Sequence, residues 1–529
     1  MNKILFLLIL IFSFSSLKSQ NIVIDKSGSP NEPSIVVNPN NPNQLVAGSN
    51  ITNCYYSDDS GITWKKINLN STYGVWGDPC VVSDKFGDFY FFHLSNPSDG
   101  NWVDRIVCQK SVDGGKTWNN GSFAGLNGTK VQDKHWVSID KKNNFIYTTW
   151  TQFDVYESKD PKDSSRIMFS HSEDAGVSWS AAQRISQTAG DCVDDDYTVE
   201  GAVPAVGPDG QIYVSWAGRK TDGSLAIMFD KSIDKGKSWL KNDIFIADFP
   251  GGWTYDIPGI YRANGMPVTL CDTSGGPNHG TIYVNWSDQK NCKTDTDVWI
   301  SKSINRGKTD TDVWLSKSTD QGETWSKPLK VNDDLPGKHQ FFNWIAIDPV
   351  TSFLYVVFYD RRNYNDNQTD VYIAYSTDGG ETFINKKISD KPFLPSKIAF
   401  FGDYSNITAF NGMVYPIWTR ADGYILSILT AKLNFGDTLK LNQNFYDAKT
   451  NFNIEKSEYS LNYTVRKNEK ISLSVFNSND KLLKTVINES FKTPGNYTET
   501  FINSEKSIDM SNAYWLILSD KREIKIKIE

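Results

Sequence analysis

An eight-residue turn that returns six times constrains this chain more than any other feature. Its form is Ser-x-Asp-x-Gly-x-(Ser/Thr)-aromatic, read at residues 57–64, 111–118, 172–179, 232–239, 318–325 and 376–383. A worn copy at 303–310 lacks both the Asp and the aromatic. The Asp carboxylate can accept hydrogen bonds from N–H groups of its own loop, and the Gly two residues on can take a positive φ without strain. The Ser/Thr and the aromatic then begin a return strand. Recurrence at about the spacing of one supersecondary unit marks a repeat architecture.

Upstream of each turn a second pattern recurs: apolar alternation, a short polar turn, then a strand ending in an aromatic. It is clear at 33–47, 136–150, 203–216 and 345–359, and weaker from Pro79 and Pro267. Each unit therefore holds four short strands, a to d, with the Asp turn joining c to d. A last unit at 403–433 has a, b and a third strand but no Asp turn. The 17 Trp against 6 Met suit twisted sheets better than helical bundles. The expectation is an all-β fold: a β-propeller with seven blades, or six if the first or last unit shares strands. The near-identical tandem copies at 293–307 and 308–322 read as a tolerated surface insertion in the fifth blade.

Residues 1–20 read as a secretory signal peptide, with Lys3, an apolar run too short to span a bilayer, and small residues before Asn21. No later stretch reads as a membrane span, so a secreted or cell-surface protein is expected. The net charge of −7 argues against a nucleic-acid partner. Six Cys in an exported chain permit disulfides whose pairing spacing does not reveal; Cys54 and Cys108 occupy equivalent strands of neighbouring units. After the propeller at 21–433, residues 434–451 read as a linker and 452–529 as a small β-sandwich of short alternating strands.

The repeated turn resembles the Asp-box, or bacterial neuraminidase repeat, of the sialidase superfamily. That resemblance implies a propeller that acts on or recognises a glycan or glycoprotein, exo-sialidase-type hydrolysis being one outcome and non-catalytic binding or adhesion the alternative. The C-terminal piece is similar to the sorting domain of the type IX secretion system, through 461–463, 471–476, 494–497, 514–518 and 525–528. It implies the type IX secretion machinery as a partner.

Topology locates the site before any residue is assigned. Strand a begins and strand b ends at the face opposite the Asp turns, so a functional cleft belongs there, around the axis. Polar residues at those positions form a mixed ring of carboxylates and guanidiniums, suited to an anionic sugar. The sialidase mechanism implied by the resemblance needs an Arg clamp, a Tyr nucleophile with a Glu, and an Asp acid/base. By position, Arg219, Arg262 and Arg361 or Arg362 are the clamp, with Asp360 and Asp403 beside them. Tyr404 or Tyr261 with Glu200 is the nucleophile pair, and Asp78 or Asp133 the acid. The family's Arg-Ile-Pro segment is absent. Asp360-Arg361 has the alternative reading of an interblade ion pair. Trp76, Trp102 and Trp253 are candidates to stack on sugar rings. No cofactor is required by this chemistry; calcium is the cation that Asp194-Asp195-Asp196 would take.

Overall fold

The computed structural model describes residues 21–289 and 310–436 and, beyond them, 449–453, 458–465, 469–477, 481–493, 495–502, 514–519 and 522–527. Residues 1–20 (read from sequence as a signal peptide), Cys292, the worn Asp turn except Asp310, and most of the tandem duplication lie outside the described residues. Two compact units divide the chain, Met1–Leu433 and Asn434–Glu529.

Six four-stranded antiparallel sheets follow one another in the first unit, and we number them as blades. Blade 1 is Ser34–Val37, Leu45–Ser49, Asn53–Ser57 and Lys65–Asn68; blade 2 is Cys80–Ser83, Phe89–Leu94, Ile106–Ser111 and Ser122–Ala124. Blade 3 is Val131–Ile139, Ile146–Phe153, Ser165–Ser172 and Gln183–Arg184; blade 4 is Glu200–Val206, Ile212–Arg219, Leu225–Ser232 and Ile244–Asp248. Blade 5 is Val268–Cys271, Ile282–Asp288, Asp312–Ser318 and Leu329–Lys330; blade 6 is Gln340–Ile347, Leu354–Asp360, Asp370–Ser376 and Ile384–Lys387. Blade 7 takes Asn406–Phe410, Met413–Gly423 and Ile425–Ala431 from the end of the unit and its outer strand, Asn21–Asp25, from the beginning.

Each inner strand neighbours the next, and Asn406–Phe410 neighbours both Gln340–Ile347 and Ser34–Val37, so the seven sheets close a ring. The Asn406 side chain accepts the Ile35 N–H across that seam at 3.4 Å. The propeller with seven blades is thus the observed fold. Its seventh blade is completed by a strand almost four hundred residues away in sequence, which supplies what the unit without an Asp turn lacks.

The Asp turns hold both their own hairpin and the preceding blade. In the turn of blade 5, Asp320 Oδ1 accepts Ser318 Oγ at 2.7 Å and Thr324 N–H at 2.9 Å, while Oδ2 accepts Thr324 Oγ1 at 2.5 Å. These donors, the Thr324 hydroxyl first, hold its carboxyl at about 2. Gly322 has φ +84°, and a Cβ there would stand 2.5 Å from Phe229 of blade 4. The equivalent Gly61 of blade 1 faces Tyr415 of blade 7, so the same contact runs across the seam. Trp150, Trp216, Trp286 and Trp418, which sit within b strands, are fully buried as packing between blades requires.

The axis is plugged. Trp136 of blade 3 lies 4.2 Å from Trp344 of blade 6 and 5.0 Å from Tyr404, between ring centroids, and its Nε1–H points at Met266 Sδ, 3.3 Å away. The five described cysteines, Cys54, Cys80, Cys108, Cys192 and Cys271, are free thiols. In the second unit, a three-stranded sheet (Lys449–Asn453, Glu458–Val465, Gly495–Ile502) and a four-stranded one (Glu469–Phe476, Leu482–Lys492, Tyr514–Ser519, Arg522–Lys527) contribute Leu461, Tyr463, Leu473, Val475, Phe501 and Trp515 to one core. That is the sandwich expected from strand alternation. No helix among the described residues is long and apolar enough to cross a membrane.

Candidate functional site

Inner strands enter the axis through a repeated backbone kink. Two residues before Ser34, Cys80, Trp136, Val203 and Trp344 stand Glu32, Asp78, Lys134, Gly201 and Phe342, with φ of 54°, 51°, 48°, 75° and 50°. In blades 3, 4 and 6 the same step is a register shift against strand b. Non-glycine residues rarely hold such a conformation, and clusters of them occur where side chains are held for a task. Here the kink turns one charged residue from each of three adjacent blades, Glu32, Asp78 and Lys134, toward a common point.

There they join a network. Lys134 Nζ lies 2.8 Å from Asp403 Oδ2 and 3.3 Å from Asp78 Oδ2. Arg262, carried between the short strands Thr254–Tyr255 and Ala263–Asn264, donates Nε–H to Asp403 Oδ1 at 2.8 Å and an Nη2–H to Oδ2. Its other terminal nitrogen is 3.6 Å from Asp194. Glu32 accepts the Asp403 N–H at 3.1 Å and the Asn50 amide, and Asn50 accepts the Asp78 N–H at 2.7 Å. Burial pushes Asp403 up, but Arg262 and Lys134 hold it well below the usual carboxylate range. Burial, with Asp78 and Asp403 nearby, pushes Glu32 well above it.

Above the network opens a cavity of about 610 Å³ on the face away from the Asp turns. Glu32, Asp78, Asp133, Lys134 and Arg262 line it, with Lys66 at one side and Trp76, Trp102, Tyr156 and Phe400 as aromatic wall. Trp76 and Trp102 are 39% and 44% exposed and meet edge to face at 6.3 Å. Asp133 is half-buried; burial pushes it up to about 6 although Lys134 pulls the other way. Glu200 is fully buried below, and no cation or N–H donor among the described residues reaches its carboxyl; burial and the carboxyls of Asp194 and Asp133 raise it well above the ordinary range.

Of the residues expected at the site, Asp78, Asp133, Glu200, Arg262, Asp403 and Tyr404 come together. Tyr404 lies below the cavity wall, 3% exposed, its hydroxyl without a hydrogen-bond partner; burial and then Glu32 and Asp78 push it well above the usual phenol range. The carboxylates near Tyr404 are thus on blades 1 and 2 rather than at Glu200.

The Arg clamp does not assemble. Arg219 donates to Ala189 O at 2.9 Å and lies over Tyr197. Arg361 is buried, donating to Thr369 Oγ1 and Pro258 O at 3.0 and 2.6 Å. Arg362 binds Asp360 at 2.7 Å within blade 6 and lies over Tyr372. The partner of Asp360 is therefore Arg362, and the expected Asp360-Arg361 ion pair is not formed. Strand alternation explains it: with Asp360 ending its strand, the residue two further on returns to the same side. Trp253 is 4% exposed, its Nε1–H on Asp194 at 3.3 Å, so it is a packed side chain and not a platform. Tyr261 is exposed against Phe400. The three consecutive acids turn to different donors: Asp194 to Tyr156 Oη, Asp195 to the Tyr197 N–H, Asp196 to the Thr254 N–H. Among the described residues no group of three His, Cys, Asp or Glu side chains is set to hold a metal ion.

Lys134, Asn50, Tyr156 and Phe400 complete the site without having been chosen from sequence, and Glu32 enters it from the expected ring of polar residues at the starts of a strands. The signal for Lys134 was the pair of charges Asp133-Lys134 at a position where alternation should have continued inward.

A family model described as BNR/Asp-box repeat matches residues 55–66. No curated protein matches the chain. Among solved structures, the chain is similar to a Trypanosoma rangeli sialidase in complex with the inhibitor DANA, at 10% identity and TM-score 0.43, covering 96% of this chain and 89% of that one. It is similar to the intramolecular trans-sialidase of Ruminococcus gnavus in complex with oseltamivir carboxylate, at 10% identity and TM-score 0.42, covering 69% and 95%. A PL25 ulvan lyase, a polysaccharide lyase bound to its uronate–rhamnose sulfate repeat, matches at 12% identity and TM-score 0.47, covering 78% and 96%.

Proposed function

We propose that this is an exported, glycan-directed propeller whose axial cavity binds a carbohydrate. One observation carries the reading: two exposed indoles, Trp76 and Trp102, stand beside a carboxylate-lined cavity at the ring axis. Apolar sugar faces stack on indole, while Asp78 and Asp133 accept hydrogen bonds from ring hydroxyls. An Asp poised near 6 can also give or take a proton at a glycosidic oxygen, which makes Asp133 the candidate acid/base if the bound sugar is cleaved.

A binding module is the second reading, favoured by the enclosure of Tyr404 beneath Trp136 and Trp344. A phenol sealed there, with no base hydrogen-bonded to it, is not positioned to attack an anomeric carbon. The C-terminal sandwich is proposed as the export module that engages type IX secretion machinery; deletion of 434–529 should leave the propeller cell-associated.

Incubation of the full chain with a panel of fluorogenic glycosides, sialosides included, separates the two readings. Turnover abolished by Asp133→Asn supports hydrolysis. Binding on a glycan array without turnover, lost in Trp102→Ala, supports the module. Neither turnover nor binding would remove the glycan assignment.

A further inference from the structure

The sign of the charge available in the cavity defines the class of sugar, an inference that rests on the carbohydrate reading above. Three cations reach its wall, and each is already held. Lys134 lies between Asp403 and Asp78; Arg262 is bidentate on Asp403 with Asp194 behind it. Lys66 Nζ sits 2.7 Å from Asp25 Oδ2 and 3.1 Å from Ser27 Oγ. A ligand carboxylate entering here would have to displace an internal carboxylate from its partner, and would meet Asp78 and Asp133 at close range.

Asp133 is in the opposite condition. Its one donor among the described residues is the Lys134 N–H, at 2.8 Å on Oδ1; the Lys134 ammonium acts on it through space but makes its short contacts with Asp403 and Asp78 instead. It opens into the cavity close to the exposed indoles. A carboxylate half removed from water, with a free face on a ligand cavity and an aromatic wall beside it, is the arrangement that receives a protonated amine. We infer that the cavity selects sugars carrying a free amine over their N-acylated counterparts, and disfavours sugars carrying a carboxylate.

Titration calorimetry on the full chain at pH 6.6, where the sugar amines are substantially protonated and Asp133 is mostly ionised, tests this with three probes: a β-1,4-linked glucosamine tetramer, the same tetramer fully N-acetylated, and a galacturonate oligomer. The amine form should bind about tenfold more tightly than the acetylated form, the scale of one charge-assisted hydrogen bond over a neutral one. The uronate should bind weakest. Asp133→Asn should collapse the ratio between the two tetramers toward one, and in the wild-type protein the ratio should fall as pH drops through 6, where Asp133, facing Asp78, Asp194, Glu200 and Lys134, takes up a proton. That second measurement holds even if the variant does not fold. Equal affinity for the two tetramers, tighter uronate binding, or a preference unchanged in a folded Asp133→Asn protein overturns the inference while leaving a carbohydrate site. Absence of binding by all three probes overturns both.

Discussion

At the residue scale the site is a contest between burial and pairing. Asp403 and Asp133 both act on the Lys134 ammonium, yet two cations hold the first ionised while desolvation lifts the second to about 6. Relative to the ordinary 3.8, the folded protein binds the Asp133 proton more tightly than the unfolded chain does. Its contribution to stability is therefore complete below pH 3.8 and is lost as pH rises through 6. Asparagine keeps the neutral form at every pH. Between pH 5 and pH 8 the wild-type protein should lose between about 1 and 2 kcal/mol relative to Asp133→Asn, read as a steady one-directional drift in the difference between their melting temperatures. A constant difference across that range would show that Asp133 keeps its ordinary pKa.

These residues were partly legible beforehand. Asp78, Asp133, Glu200, Arg262, Asp403 and Tyr404 were reachable because a blade fixes which end of a strand faces the loop side. Lys134 was not, because periodicity assigns alternate residues to alternate faces and a left-handed residue inserted at the kink breaks that rule. Arg219, Arg361 and Arg362 were placed at the correct end of their strands, but distance from the axis is a tertiary quantity. Ala189 O in the loop before blade 4, Pro258 O in the segment before blade 5 and Asp360 of blade 6 hold them away from the cavity.

At the scale of the element, the Asp turn was read correctly as a hairpin and incompletely as a joint. Its carboxylate lies in an exposed loop, where water replaces lost hydrogen bonds at modest cost. Asp320→Ala should destabilise by about 1 kcal/mol. Gly322→Ala acts on two counts, since alanine strains at φ +84° and its Cβ would meet the Phe229 ring of blade 4 at 2.5 Å. It should cost about 2 to 4 kcal/mol, within the range for overpacking combined with backbone strain. Thermal denaturation of the two variants side by side checks the order. Should Asp320→Ala prove the more damaging, the turn serves its own hairpin first and the blade contact is secondary. The Gly of the repeated turn shows in sequence only conformational freedom; the approach of another blade behind it involves residues nearly a hundred positions away.

For the whole molecule, repeat counting gave the ring and its loop face, while the way the ring is fastened depended on pairing between the two ends of the unit. Asn21–Asp25 falls inside the expected propeller at 21–433 but belongs to none of the repeat units read along the sequence. In the structure it pairs with Ile425–Ala431, and Asp25 accepts Tyr55 Oη at 2.7 Å and holds Lys66 at the same distance. Asn21 donates to Ile388 O at 2.8 Å, so the strand ties blades 1, 6 and 7 together. Lys66 in turn reaches the wall of the axial cavity. Removing the strand leaves Ile425–Ala431 as an unpaired edge, the condition in which sheets associate with other chains. A protein beginning at Lys26 should melt at least about 5 °C below one beginning at Asn21 and aggregate on heating. It should also change which sugar it prefers, because Lys66 loses Asp25 and becomes a cation without a carboxylate partner beside a cavity whose other cations are held. The galacturonate oligomer is the informative probe here: the truncated protein should gain affinity for it as it loses affinity for the glucosamine tetramer. If both proteins melt together and rank the probes identically, the terminal strand is an ornament on a ring closed by its inner strands alone.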